Sequence, residues 1–346
     1  MDFLQATSSG HVHKQYRPKL SLLYLSANFL VRTDHQYQKT NSPMWKTVLF
    51  LILTIVVIPI LAFGFDEPLN LDQKNVLTQL MIIYLSAALV CFVVSTLSKN
   101  YSQVDKLWSI LPIVYVWIIC VKSGFEPRLV LMSLLVSFWG LRLSYNFSRR
   151  DGYSIRFWSG KEDYRWPVLR SRPEFGSQWR WVLFNLFFIS IYQLGLVLLI
   201  TLPALKSMEG RPMIWTDYLL AALLLFFIVI ETIADQQQWN YHKQKRLLME
   251  KGGDLPEKYI KGFMDTGLWG IVRHPNYAAE QALWILFYFF SVIATGMWLN
   301  WSVIGAILLV ILFRGSSNFS ESISSDKYPE YADYKRRIPR FIPFVS

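Results

Sequence analysis

Eight apolar runs divide this chain: Trp45–Phe65, Val76–Leu97, Leu107–Val121, Leu129–Asn146, Trp181–Leu202, Tyr218–Ala234, Ala278–Thr295 and Trp298–Phe313. A helix crosses a bilayer with about 17–25 apolar residues, and most of these runs reach that length. Lipid offers no water to unsatisfied backbone groups, so a spanning segment must be a helix or part of a closed barrel. Continuous apolar runs of this kind are helical rather than alternating. The expected fold is therefore all-α, a polytopic transmembrane bundle of about eight spans. Composition agrees, because 53% of the 346 residues are hydrophobic and only 17% are charged, against about 25% in soluble domains.

Lysine and arginine give the expected orientation. With a cytoplasmic N-terminus, the inside segments are residues 1–46, 98–106, 142–180, 238–275 and 314–346. They hold 30 of the 35 basic residues, and the outside loops 66–75, 122–128 and 203–217 hold the other 5. Both termini are thus expected in the cytoplasm. The net charge of +11 belongs to these loops, which points to topology and anionic membrane lipids and away from nucleic acid. Cys91 and Cys120 lie inside apolar runs, which argues against a disulfide framework and a metal site. Residues 1–44 read as a cytoplasmic N-terminal tail and 45–346 as the membrane domain. In the tail, Pro18 to Arg32 places Leu20, Leu23, Ala27 and Leu30 on one stripe, as an interfacial helix does. The scarcity of acids there also fits a mitochondrial presequence.

The inside segments that follow the fourth and sixth spans are long and rich in Trp, Tyr, Arg and Asp. Loops of that length are functional or disordered, and so many aromatics disfavour disorder. They are expected to fold as a lid on the inner ends of the spans. Ionisable residues at membrane depth usually face a protein interior or a water-filled cavity. Asp105 begins the third span, where pairing with Arg142 is one alternative. Arg142 and Asn146 lie four apart at the inner end of the fourth span. Glu231, Asp235, Gln238 and His242 recur at helical spacing and share one stripe. Interhelical hydrogen bonds explain such a stripe as well as a lined cavity does. Before the seventh span runs Arg273-His274-Pro275-Asn276-Tyr277, with Glu280 four residues beyond Asn276. Pro275 suits a first helical position, and the free N–H groups of that turn, beside Arg273, form a natural anion site. Arg314 at the end of the eighth span fits either a phosphate contact or a snorkelling anchor.

The Arg273–Tyr277 stretch, the final helical hairpin and the Tyr- and Pro-rich C-terminus resemble the C-terminal domain of steroid 5-alpha-reductases. A similar block occurs in sterol C14 reductases and isoprenylcysteine carboxyl methyltransferases. Val104-Asp105 with Trp108-Ser109, Leu141-Arg142-Leu143 with Asn146, Glu162–Trp166 and Ala234–Trp239 resemble an uncharacterised branch of the 5-alpha-reductase-like proteins, over about residues 100–346. The resemblance implies a steroid-reductase-like membrane domain that binds NADPH from the cytoplasm and reduces a carbon–carbon double bond in a lipophilic steroid, prenol or acyl substrate. By motif, Arg273, His274, Asn276, Tyr277 and Glu280 would hold the cofactor with Glu231, Asp235 and Arg314. Asp105 with Tyr145 or Asn146 would polarise the substrate. The reductases carry Asn where this chain has Glu231. Two alternatives remain open: an S-adenosylmethionine-dependent methyltransferase of a lipid-linked acceptor, and a non-catalytic lipid-binding protein. Lipid chemistry favours the endoplasmic reticulum, with a mitochondrial membrane second.

Overall fold

The computed structural model describes residues 53–64, 66–252 and 255–344, all of them helix, turn or loop. The tail, its amphipathic stretch and the start of the first predicted span lie outside the described residues. The end of that span is a wide-turned stretch, Leu53–Val57, followed by α1, Ile58–Gly64. Seven long helices follow that are apolar enough to cross a membrane: α2 (Leu71–Ser98), α3 (Gln103–Lys122), α4 (Pro127–Ser148), α6 (Gln178–Lys206), α7 (Trp215–Glu250), α8 (Pro275–Thr295) and α9 (Val303–Lys327). Two short helices, α5 (Arg165–Arg170) and α10 (Tyr331–Arg337), belong to the connecting segments. The chain is a helical, multi-pass membrane bundle.

Local chemistry explains where these helices begin and end. Asn70 and Gln73 form a reciprocal capping box at α2, with Gln73 N–H donating to Asn70 Oδ1 at 2.8 Å. Pro127 and Pro275 occupy the first turns of α4 and α8, where a missing N–H costs nothing. Gly296 ends α8 with φ +76°, as the predicted hairpin requires. The hairpin is wider than expected, because Trp298 precedes the helix and α9 starts at Val303. Two further expectations need correction. The sixth span was expected to stop at Ala234, and the eighth at Phe313. The helices instead run on to Glu250 and Lys327. Polar Gln, Lys and Glu end an apolar run without breaking a helix, since they are good helix formers. The 36 residues of α7 span about 54 Å, well beyond a hydrocarbon core of roughly 30 Å.

Helix α6 is the axis of the bundle and packs against α2, α3, α8 and α9. Nearly every residue from Ile189 to Lys206 on it is buried. By contrast, α2 buries only the stripe Val76, Leu80, Tyr84, Ala88, Cys91 and Ser95. It leaves Ile82, Leu85, Leu89 and Val93 exposed on the face suited to lipid. Helices α3 and α4 approach closely at Gly140, where a Cβ would come within 2.5 Å of the Ser109 carbonyl oxygen. Small residues permit such approach in membrane bundles.

The two ends of the bundle differ. At the charge-poor end, Arg128 clamps Asp217 with both partners buried: Nε donates to Oδ1 at 2.6 Å and Nη2 to Oδ2 at 3.0 Å. At the charge-rich end the segment after α4 folds back over α3. Lys106 Nζ donates to the Phe157 and Ser159 carbonyls, Gln103 to the Trp158 carbonyl, and Asn100 to the Gly160 carbonyl. This is the expected lid. The C-terminal segment is latched by Glu321, which is only 1% exposed. Its Oε1 accepts from Arg273 Nε at 2.8 Å and lies 3.0 Å from His274 Nε2, while Oε2 accepts from Arg340 at 3.2 Å. Backbone bonds from Arg273 N–H to the Pro339 carbonyl and from His274 N–H to the Arg340 carbonyl complete the latch.

Two predictions follow from this packing. Gly140→Ala should destabilise the protein by about 1–3 kcal/mol, since the nearest obstacle is backbone. Gly315→Ala, where a Cβ meets nothing within 4 Å, should be neutral or stabilising by up to about 1 kcal/mol. Thermal melts in one detergent compare them. The second concerns pH. Burial pushes the His274 imidazole below its ordinary value of 6.5, against the opposing pull of Glu321. The unfolded chain therefore takes up this proton first, and stability is lost as pH falls below about 6.5. The melting temperature should drop more between pH 7.5 and 5.5 in the wild type than in His274→Gln.

Candidate functional site

A cavity of about 740 Å³ opens at the charge-rich end, walled by α3, α4, α6, α7, α8, α9 and the two folded connecting segments. Its polar wall comes from side chains at helical spacing. Asn146 lines it from α4, Glu231, Asp235, Gln238 and His242 from one face of α7, and Asn276 and Glu280 from one face of α8; Trp139 and Arg142 share the Asn146 face of α4 without lining the cavity.

These three faces meet in a buried network. Arg142 reaches from α4 to α7, where Nη2 donates to Glu231 Oε1 at 2.6 Å and Nη1 to Asp235 Oδ2 at 2.8 Å. Asp235 Oδ2 also accepts from Asn146 Nδ2 at 2.8 Å, and Oδ1 from Asn276 Nδ2 at 3.2 Å. Glu280 accepts from the indole N–H of Trp139 at 2.8 Å and of Trp284 at 3.1 Å. Three carboxylates thus surround one guanidinium. The network is not closed on itself: Glu231 Oε2, Gln238 Oε1 and Arg142 Nε are buried with no hydrogen-bond partner among the described residues. Buried polar groups are normally satisfied; here the Glu231 carboxyl lies against that of Glu280, and Glu231 and Gln238 border the cavity.

Other segments complete the wall. Asp105 Oδ2 accepts from Trp166 Nε1 of the lid at 3.0 Å. Burial alone would raise the Asp163 carboxyl, but Arg165, 2.7 Å away, holds it below the usual carboxylate range. Arg165 also reaches the Tyr277 hydroxyl at 3.5 Å, which links lid to α8. Across the cavity, Trp269 Nε1 donates to the Ala234 carbonyl at 3.1 Å, and the Leu268 N–H to Gln237 at 3.1 Å. That loop turns at Gly267, with φ +63° and the Gln237 amide 2.8 Å from where a Cβ would stand, a left-handed position that favours glycine.

Most of the residues picked from sequence meet here. Asp105, Asn146, Glu231, Asp235, Arg273, His274, Asn276, Tyr277 and Glu280 all line the cavity. The alternative pairing of Asp105 with Arg142 is not what forms, because Trp166 takes Asp105 while Arg142 serves α7. Arg273 and His274 border the cavity, but their side chains are committed to Glu321 and the C-terminal segment. Two residues fall outside it. Tyr145 is 67% exposed, with the Arg149 guanidinium 5.7 Å from its ring. It is one position, about 100°, away from the inward Asn146. Arg314 is exposed and outside the wall for the same reason, being one position past Phe313.

Sequence reasoning also missed contributors. Trp139 sits one turn before Arg142 on the same face, a spacing that could have flagged it. Gln193 interrupts an apolar run, a standard mark of intramembrane function. The partner that occupies Arg273, Glu321, lies 48 residues away and left no local signal.

The family model described as "Protein of unknown function (DUF1295)" matches residues 91–338, which include every helix that walls the cavity. An uncharacterized protein of the fission yeast Schizosaccharomyces pombe, C594.04c, is 36% identical over 263 residues, covering 72% of this chain and 74% of that protein. No solved structure matches the chain significantly. The chain therefore belongs to the DUF1295 family, which is related to the steroid 5-alpha-reductase-like superfamily.

Proposed function

We propose that this chain is a membrane-embedded, NADPH-dependent reductase of a carbon–carbon double bond in a lipophilic substrate. The observation that carries the reading is the polarity of the cavity along α7. Its lining runs from Glu231 and Asp235 through Gln238 and His242 to Arg246, a distance of about 22 Å at 1.5 Å per residue. Acidic and amide groups stand at the inner end. At the mouth stand Arg150, Arg246 and Lys327, none of which makes an ion pair among the described residues. An elongated ligand with a neutral or cationic ring at one end and phosphates at the other fits that gradient. Asp235, Asn276 and Glu280 would seat the nicotinamide end, and the mouth cations would meet the phosphates.

Bound there, the reduced nicotinamide supplies hydride, which no side chain can do. The chain's own residues supply the rest. As the double bond is reduced, enolate charge develops on the conjugated oxygen, and a donor aimed at that oxygen stabilises it. Asp105 would take this role if protonated, with its carboxyl oriented by the Trp166 N–H. The lid held by Lys106 and Gln103 keeps bulk water from the reacting groups. The endoplasmic reticulum, a principal site of lipid chemistry, is the proposed membrane. One observation favours a second reading: three carboxylates against one guanidinium attract a cation, and the sulfonium of S-adenosylmethionine is such a group.

Titrating the purified protein with each cofactor separates the two. NADPH at 100 times its dissociation constant should stabilise by about 2.7 kcal/mol, and S-adenosylmethionine should not. Arg150→Ala and Arg246→Ala should each weaken NADPH about tenfold, the loss of one charge-assisted contact. Stabilisation by S-adenosylmethionine alone, or NADPH binding indifferent to both substitutions, would overturn the reading.

A further inference from the structure

Helix α6 contributes one residue to the cavity wall among those described, Gln193. It stands in the middle of the helix, directly after the π-helical stretch Asn185–Tyr192. Such wide turns are common at functional sites, because they rotate the following residues out of the regular helical register. Gln193 is 8% exposed, and its side chain has no hydrogen-bond partner among the described residues. Several other buried or half-buried amides of the bundle are satisfied, Gln238 Oε1 on the α7 side of the same cavity being an exception. Asn185 bonds Ser95 and Thr96, Asn146 and Asn276 bond Asp235, and Gln281 bonds the Tyr277 carbonyl. An unpaired amide at membrane depth is costly, and one that faces a cavity has a place for a partner.

The surroundings indicate what that partner is. Helix α6 packs against α3, α8 and α9; Trp108 of α3 and Leu312 and Phe313 of α9 add apolar lining, while Asp105 of α3 and Asn276, Tyr277 and Glu280 of α8 add polar lining. Leu143 of α4 adds further apolar lining. No charged residue on α6 lines the cavity. We infer that Gln193 is the binding residue for a single uncharged oxygen, a ketone or ester carbonyl or a hydroxyl, on an otherwise apolar substrate. A carboxylate or phosphate would gain little from a neutral amide and would meet the carboxyl groups of Asp105 and Glu280 in the same lining, whereas a carbonyl accepts from the amide N–H and a hydroxyl donates to its oxygen. A site built around a polar contact rejects the analogue that lacks it far more strongly than an apolar pocket rejects an extra group. Gln193 is thus a specificity-determining residue. The inference rests on the proposed reductase reading for the reaction, and adds the chemical class of the substrate.

The test uses the full chain in detergent, with two probes of equal length: hexadec-3-en-2-one and hexadec-1-ene. Apparent dissociation constants are read from thermal-shift titrations of the wild type, Gln193→Leu and Gln193→Met. The wild type should prefer the ketone at least tenfold. Both variants should reduce that preference to under twofold while keeping the wild-type NADPH midpoint. Their ligand-free melting temperature should be equal or higher, since an unpaired amide has been removed; a merely structural glutamine would lower it. The inference is overturned if either variant keeps the preference, or if the wild type binds both probes equally or binds neither. A Gln193-dependent ketone preference in a protein that ignores NADPH would sustain this inference and sink the reductase reading.

Discussion

One guanidinium holds the charge-rich end of the bundle together. Arg142 bridges α4 to two carboxylates one turn apart on α7, and Asn146 and Asn276 tie the same Asp235 to α4 and α8. Ion pairs buried in this way contribute little net stability, because desolvation offsets their attraction. Removing one partner is different and typically costs about 3–5 kcal/mol, since it strands a charge. The network therefore acts mainly on geometry. It sets the register of three helices whose apolar faces would tolerate sliding, and so determines which side chains meet in the cavity.

The connecting segments depend on that register. The lid after α4 packs Trp166, Leu169 and Phe175 against the core. It is held by hydrogen bonds from Asn100, Gln103 and Lys106 to its carbonyls and by Trp166 on Asp105. The latch around Glu321 does the same for the C-terminus with four cationic or imidazole partners, Arg273, His274, Lys335 and Arg340. Aromatic packing of Phe263 on Tyr331 and Tyr334 seals the opposite wall. Both closures use polar groups at helix ends that are buried once the segments close, among them Gln103, Lys106, Arg273, His274 and Glu321, so each must be satisfied within the protein.

The helices were largely legible because lipid imposes a simple rule on sequence: a spanning segment must be apolar, and a helix. Spacing within a helix was legible too, so the stripes on α4, α7 and α8 were found before their partners were known. Tyr145 and Arg314 show the limit. Each lies one position from an inward residue, and motif matching places a residue no better than that, while one position turns a side chain by about 100°. Arg273 shows another limit. Its position next to a helix start suggested a free anion site, but a glutamate 48 residues away had already taken it.

The sequence alone determined the all-helical class, the approximate positions of the spans and the alternation of basic and plain loops. These follow from local composition acting against a uniform solvent. Tertiary structure decided which charges pair across helices, and that Gln193 faces a cavity rather than a neighbouring helix. Both depend on how segments far apart in the chain pack together, and the pairings on groups arriving within about 3 Å of one another. No local pattern encodes such a distance; only the packed bundle fixes it.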